Sequence, residues 1–304
     1  MGRANRAFDQ QKIRLGVTPT LWWNDDFPSL DVGIPFEQCI SEMALAGFQG
    51  CSMGRKYPTD ANVLRSALEL RGLRLAESWV STYFTISSMR DQTLRSFQQQ
   101  KALLKSLEGA TLIVSEFGLA VNPLPVALFA NRPTFNNSQW SALTAGLEEL
   151  GRIANDNGLR LCYHPHAGTG VMIQSDMDRL LDSTKAELVS LVLDTGHVAF
   201  VGTDPLAVTR RYGSRIRHVH LKDIRFDVVR RAREENLSFK ESIEAGVFTV
   251  PGDGGLDFAP IFDALADARF EGWMVVEADQ NPAAANPLKY AKMARQFLRD
   301  GLGW

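Results

Sequence analysis

Leu188-Val-Ser-Leu-Val-Leu-Asp-Thr-Gly-His197 is an apolar run closed by a carboxylate, a tight turn and an imidazole. A strand with one wet face alternates apolar and polar residues. A continuous apolar run instead marks a strand buried on both faces, as in a parallel sheet. Outward from this stretch the design repeats. Residues 159–163 run into His164-Pro-His166, residues 216–220 carry His218 and His220 and run into Lys222-Asp223, and residues 273–276 run into Glu277. Four more runs lie upstream, at 13–17, 48–53, 73–80 and 111–115. Segments of helical period separate the runs: 36–46, 62–71, 91–107, 138–157 with a Ser cap, 175–182, 204–212 behind Asp204, 259–268 and a closing 287–298. Gly47, Gly72, Gly158 and Gly272 each follow a helix and precede a strand, where a left-handed residue commonly ends a helix. Eight βα units in an α/β chain of this length predict a (β/α)8 TIM barrel over residues 13–304, after a flexible tail 1–12. A doubly wound open sheet is the competing architecture.

With 304 residues, 45% hydrophobic content and a net charge of −2, the chain can bury a large core. That balance argues against the basic face a nucleic-acid binder needs. The apolar runs are too short to span a bilayer, and the polar N-terminus lacks the apolar core of a signal peptide. Cys39, Cys51 and Cys162 are odd in number and lack CxxC spacing; they read as reduced core thiols of a cytoplasmic protein. Two irregular stretches, 118–137 with Pro123, Pro125 and Pro133, and 223–257, follow predicted strands. In a barrel both lie on the catalytic face, where long loops act as lids.

All five histidines, His164, His166, His197, His218 and His220, fall at the ends of the apolar runs. Residues just past each barrel strand converge on one mouth. Strand one contributes Thr18-Pro19 and then Trp22, Trp23, Asn24, Asp25 and Asp26. Strand four ends at Glu116, strand six at Asp194, and strand eight at Glu277, Asp279 and Gln280. Each residue alone has a plain structural explanation: a satisfied polar histidine, Asp194 capping a turn, Glu277 as a surface charge. Those explanations do not cover four successive strands that each end in His, Asp or Glu. Mixed imidazole and carboxylate ligands suit Mn, Co, Fe or Zn better than Ca or Mg. His218 and His220 point the same way, as do His164 and His166, because side chains repeat every second residue. One of each pair can bind a metal while the other meets substrate or supports the site. Trp22 and Trp23 suit core packing and a sugar-stacking wall equally. Lys222, inside the cluster, can orient an oxygen.

Six strings make the chain recognisable: Thr18–Asp26 (TPTLWWNDD), Tyr163–Gly170 (YHPHAGTG), Asp194–His197 (DTGH), His218–Asp223 (HVHLKD), Gly246–Gly254 (GVFTVPGDG) and Val276–Pro282 (VEADQNP). Together they resemble the inosose dehydratase family, a branch of the xylose-isomerase-like sugar phosphate isomerase/epimerase barrels. The resemblance runs from about Leu15 to the C-terminus. The DTGH and HxHxKD strings are shared widely among such barrels; the other two glycine-bearing strings, at 163–170 and 246–254, look specific to the dehydratase branch. The resemblance implies a metal held by His164, Asp194, His220 and Glu277, with His164 replacing the more usual Glu of strand five. It implies Mn or Co in that site, with Zn or Fe as alternatives, and leaves a thiol cofactor such as glutathione open. Two departures stand out. Where the dehydratases resembled carry Gly-Thr-Glu, this chain has Gly50-Cys51-Ser52, and Asp279 and Asn281 replace an expected Glu and Asp.

The implied reaction is loss of water from 2-keto-myo-inositol, a polyhydroxy ketone, in inositol catabolism. A base removes the proton beside the carbonyl and an acid protonates the departing hydroxyl. The acid/base candidates are His166, His197, His218 and Glu116. Trp23, Asn24, Asp25, Lys222 and Gln280 are expected to hold substrate. The rival is an epimerase, isomerase or lyase on another keto-polyol or keto-glycoside, kept in play by Ser52. A non-catalytic sugar-binding barrel would be expected to have lost ligands, and an endonuclease would need a basic groove. A homo-oligomer is compatible with the sequence; nucleic acid and membrane are not expected partners.

Overall fold

A computed structural model describes residues 8–303. Among the described residues the strands are β1 (Ile13–Val17), β2 (Gly50–Ser52), β3 (Arg74–Thr82), β4 (Thr111–Glu116), β5 (Arg160–Tyr163), β6 (Ser190–Asp194), β7 (Ile216–Leu221), β8 (Asp223–Ile224), β9 (Phe248–Thr249) and β10 (Gly272–Val276). All except β8 and β9 form one closed parallel barrel. Closure excludes the doubly wound sheet: β1 bonds β10 on one side (Leu15 opposite Met274) and β2 on the other (Gly16 opposite Gly50).

Outside run α1 (Phe36–Ala46), α2 (Ala61–Glu69), α3 (Arg90–Ser106), α4 (Asn137–Asn155), α5 (Gln174–Asp182), α6 (Thr195–Phe200), α7 (Pro205–Tyr212), α8 (Phe226–Glu234), α9 (Phe239–Glu244), α10 (Phe258–Asp267) and α11 (Pro287–Leu302). Their apolar stripes pack on the outward strand residues, as Leu15, Val17, Leu193 and Val276 do in one continuous core. Gly47 ends α1 at φ 90°, and its N–H closes back on Ala44 O and Met43 O. The expected Ser cap of the fourth helix is corrected. Asn136 caps α4, in a reciprocal pair with Gln139, and Ser138 donates to the Asn136 side chain.

Inside the barrel, small apolar layers fill the lower half. One holds Ala76, Trp273 and Val275; another holds Ile113, Cys162 and Val192 against Trp79. The three cysteines are buried and unpaired, and burial pushes the Cys51 thiol up to about 12.

The stretch 223–257 is not a structureless loop. It folds into the β8–β9 hairpin and helices α8 and α9. Phe239, Phe248 and Ile224 from this insertion pack with Phe27, Leu128 and Phe200 in a second core above the barrel mouth. The stretch 118–137 joins it, with Leu128 N–H donating to Leu237 O at 3.2 Å. Of the expected tail, residues 1–7 lie outside the described residues. Gln10–Lys12 form a 3-10 turn capped by Asp9, and Lys12 pairs with Glu271. No helix among the described residues is long and apolar enough to cross a membrane.

Candidate active site

The four residues of the DTGH string each do separate work at the end of β6. Asp194 caps α6 with one oxygen: its Oδ1 accepts the His197 N–H at 2.7 Å. That leaves Oδ2 facing the barrel axis, 3.3 Å from His164 Nε2 and 3.7 Å from His220 Nδ1. Thr195 clamps the chain after β7, its Oγ1 donating to Lys222 O at 2.6 Å and accepting from Lys222 N at 3.0 Å. Gly196 leaves room for the lysine stem. A Cβ there would stand 2.4 Å from Lys222 Cγ, closer than packed carbon atoms approach. His197 closes the turn against Phe239 and Phe248.

Above the apolar layers, His164, Asp194, His220 and Glu277 each offer one ligand atom, all within 4.8 Å of one another. Two of those atoms support a cation there. His220 Nδ1 and Glu277 Oε2 are buried without a hydrogen-bond partner, although they face each other in close contact. Buried polar atoms left this way are rare. A carboxylate pair with an imidazole pair has the hardness and charge to satisfy them with a divalent metal. The set therefore fits the implied metal.

The surrounding charges are strongly biased. The Lys222 ammonium is fully buried 2.8 Å from Asp279 Oδ2, 3.2 Å from Glu277 Oε1 and 3.3 Å from Asp194 Oδ2. Burial alone would raise the Glu277 carboxyl, yet Lys222 and His220 bring it down to about 2. Burial would favour neutral Lys222 as well, but Asp194, Asp279 and Glu277 hold it charged. Lys222 was expected to hold substrate oxygens. Instead it lies beneath the cradle with its donors engaged by protein carboxylates.

The cavity above is lined by Thr18, Pro19, Thr20, Asp25, Asp26, Ser52, Met53, Glu77, Trp79, His164, His166, His220, Glu277 and Asp279. His166 donates from Nδ1 to Ala167 O at 2.9 Å, which leaves the Nε2 lone pair free on the cavity side, 4.0 Å from Asp26. Burial, with His164 and Lys222 nearby, pushes His166 down to about 3. Trp79 and Phe117 supply part of that dry wall. Opposite effects act on the rim. Burial raises Asp25 to about 6, and Asp26 is raised by burial together with Asp279 and Asp25.

The remaining expected residues stand off the cavity. Trp23 is fully buried, its ring edge-on to Tyr57 and under Lys56, so it packs the core. Asn24 shapes the loop by accepting the Phe27 N–H at 2.8 Å. Gln280 reaches Thr249 at 3.4 Å. His197 accepts the Ala167 N–H on Nδ1 at 3.3 Å and lies behind His166. His218 is fully buried, one side-chain repeat below His220. Glu116 is not brought into the constellation. Its oxygens accept from Thr82 Oγ1, Phe84 N, Thr85 N, Thr85 Oγ1 and Gly118 N, so it ties the loops after β3 and β4 together.

One functional residue was missed. Glu77 on β3 is buried on the cavity floor between Ser52, His218 and His220. Ser52 Oγ donates to Glu77 Oε1 at 2.5 Å. The carboxylate that the resemblance places at position 52 is therefore absent there, while one stands within hydrogen-bond reach on the next strand. The available signal was a lone Glu inside the apolar run Leu73–Val80.

Comparison with known proteins agrees with this architecture. The family model for xylose isomerase-like TIM barrels matches residues 40–301. An inosose dehydratase of Geobacillus thermodenitrificans is 46% identical over 297 residues, covering 97% of this chain and 99% of the relative. Among solved structures, the IOLI protein with a binding zinc atom superposes with a TM-score of 0.71, at 14% identity, over 95% of this chain and 98% of that one. A probable 3-DHS dehydratase, AsbF of Bacillus anthracis, gives 0.70 at 14% identity over 94% and 98%. At such identities the two structures share the fold.

Proposed function

The chain belongs to the xylose isomerase-like TIM barrel family, and from that premise we propose that it is a metal-dependent hydro-lyase that removes water from 2-keto-myo-inositol. The observation that carries this reading is the His164–Asp194–His220–Glu277 cradle, set on the floor of a cavity walled by an imidazole and carboxyls of opposite tuning. A divalent cation in the cradle, Mn or Co in our reading, supplies Lewis-acid stabilisation of negative charge on a ketone oxygen.

The chain's own residues handle the proton. His166 is neutral at physiological pH, and its Nε2 lone pair faces the cavity, so it takes the proton beside the carbonyl. Asp25 is half-buried at the rim and, raised to about 6, keeps a protonated fraction near neutral pH; in that form it gives its proton to the departing hydroxyl. Two groups that line one cavity and are driven in opposite directions are the usual mark of an acid/base pair. Trp79 and Phe117 keep water from His166. Thr18, Thr20 and Asp26 are left to bind ring hydroxyls.

The test is incubation of the purified chain with 2-keto-myo-inositol and Mn2+ or Co2+. Growth of an ultraviolet-absorbing dione is expected. Exchange of the substrate proton with solvent, with no dione formed, would favour the epimerase reading, which rests on Ser52 standing where an acid was expected.

A further inference from the structure

Glu77 reaches the cavity floor through a defect in the barrel. Along the β2–β3 pair, Cys51 stands opposite Leu75 but Ser52 stands opposite Glu77, so Ala76 is an extra residue. In regular alternation Ala76 and Glu77 would face opposite ways. Here Ala76 packs on Trp273 and Val275 inside the barrel, and Glu77 lines the cavity. Bulges commonly re-aim a side chain beside an active site.

The re-aimed carboxylate meets His220 edge-on. Glu77 Oε1 and Oε2 lie 3.1 and 3.0 Å from His220 Nε2, while His220 Nδ1, on the other edge of the ring, faces Asp194 and Glu277. One ring thus has a carboxylate of no assigned role at Nε2 and the cradle at Nδ1. Ser52 and His218 hold Glu77 from its other side. We propose that Glu77 is the positioning residue for His220: it accepts the Nε2–H and thereby commits Nδ1 to the cation. This rests on the cradle reading above. A carboxylate behind a metal-bound imidazole fixes its tautomer and orientation, and removing such a partner typically costs 10–100-fold in metal affinity.

A different use of the same atoms is a second cation between Glu77, His218 and His220, which also lie close enough to coordinate. It would need Nε2 of a ring whose Nδ1 already serves the cradle, so the hydrogen bond is the simpler arrangement.

The test uses the full chain, stripped of metal and titrated with Zn2+ against a chelating indicator. Long-range 15N spectra of the zinc-loaded protein are read for the His220 ring. The wild type is expected to bind one Zn2+ and to show a proton on Nε2. Glu77→Ala is expected to bind Zn2+ 10–100-fold more weakly. Glu77→Gln, whose amide oxygen still accepts the Nε2–H, is expected to recover affinity to within about tenfold and to keep the Nε2–H signal. Wild-type affinity in Glu77→Ala overturns the proposal and leaves the cradle standing. Two Zn2+ per chain also overturns it, making Glu77 a ligand. A wild type that binds no Zn2+ overturns cradle and proposal together. If Glu77→Ala does not fold, the Gln variant decides: an Nε2–H signal supports the proposal and its absence overturns it.

Discussion

Replacing Lys222 with Met should move stability and metal affinity in opposite directions. The substitution keeps the length of the stem that packs over Gly196 and removes only the charge. Three carboxylates then lose a cation at 2.8, 3.2 and 3.3 Å. Each contact is worth about 5–6 kcal/mol of Coulomb attraction at an effective dielectric of about 20, before the cost of burying the ions. The net loss on deleting one partner of such a buried set is about 3–5 kcal/mol. For a domain of this size that is a fall of roughly 5–8 °C in Tm of the metal-stripped protein. The same change frees Asp194 and Glu277 from their competitor, so a divalent cation should bind about tenfold tighter or better, equivalent to about 1.4 kcal/mol. Thermal unfolding with and without Mn2+ reads both effects, because a ligand of the native state adds stability that grows with its concentration over Kd. The wild-type Tm should respond less to Mn2+ than the variant's does. A stripped variant as stable as wild type, or one whose cation affinity falls, would refute the view that Lys222 stands in for positive charge beneath the cradle.

Three further outcomes are expected. Glu277→Gln should lose bound metal and activity together, measured by elemental analysis and dione formation; a fully active, metal-free variant sinks the cradle. If Asp25 is the acid, it works only while protonated, and its pKa is raised from 3.8 to about 6. The rate constant kcat/KM should then fall as pH rises through about 6, and Asp25→Asn should remove that fall and lower kcat about 10²–10⁴-fold; a kcat/KM that climbs through pH 6 refutes the role. Glu116→Gln should cost about 1–3 kcal/mol in denaturant unfolding, because one amide cannot accept all the donors converging on the carboxylate. Its kcat should stay within about threefold of wild type, since proton transfer by a catalytic group would be worth far more.

The barrel was legible because a parallel strand covered by helices must be apolar throughout, and glycines punctuated the joints. The cradle was legible through strand ends together with the family resemblance. The misreadings have physical causes. Helix α8 reads as loop because its sequence, Phe226-Asp-Val-Val-Arg-Arg-Ala-Arg-Glu234, is mostly charged, and it buries little besides Val229 and Ala232. His218 looked equivalent to His220, but one side-chain repeat is about 6.6 Å of depth along a strand. That distance separates a cavity wall from a dry floor. Glu116 ends its strand as the ligands do, yet nearby N–H and hydroxyl donors claim its oxygens before any substrate can. Glu77 was hidden because alternation is read assuming a regular strand, and one extra residue at Ala76 reverses the face of every later position on β3.

That reversal bears on why this floor calls for a dication. Glu77, Asp194, Glu277 and Asp279 converge on the barrel axis, and the ammonium of Lys222 is the cation that pairs with the last three. Burial opposes a charge on His220, but Glu77, Glu277 and Asp194 outweigh it, so the ring adds one further positive charge. A neutral polyol entering from the rim cannot offset the remaining excess, since hydroxyls bring dipoles and no charge. A divalent cation removes the excess where the buried His220 Nδ1 and Glu277 Oε2 face each other beside Asp194 and His164. The charge balance and the placing of the four ligand atoms thus lead to the same position in the barrel.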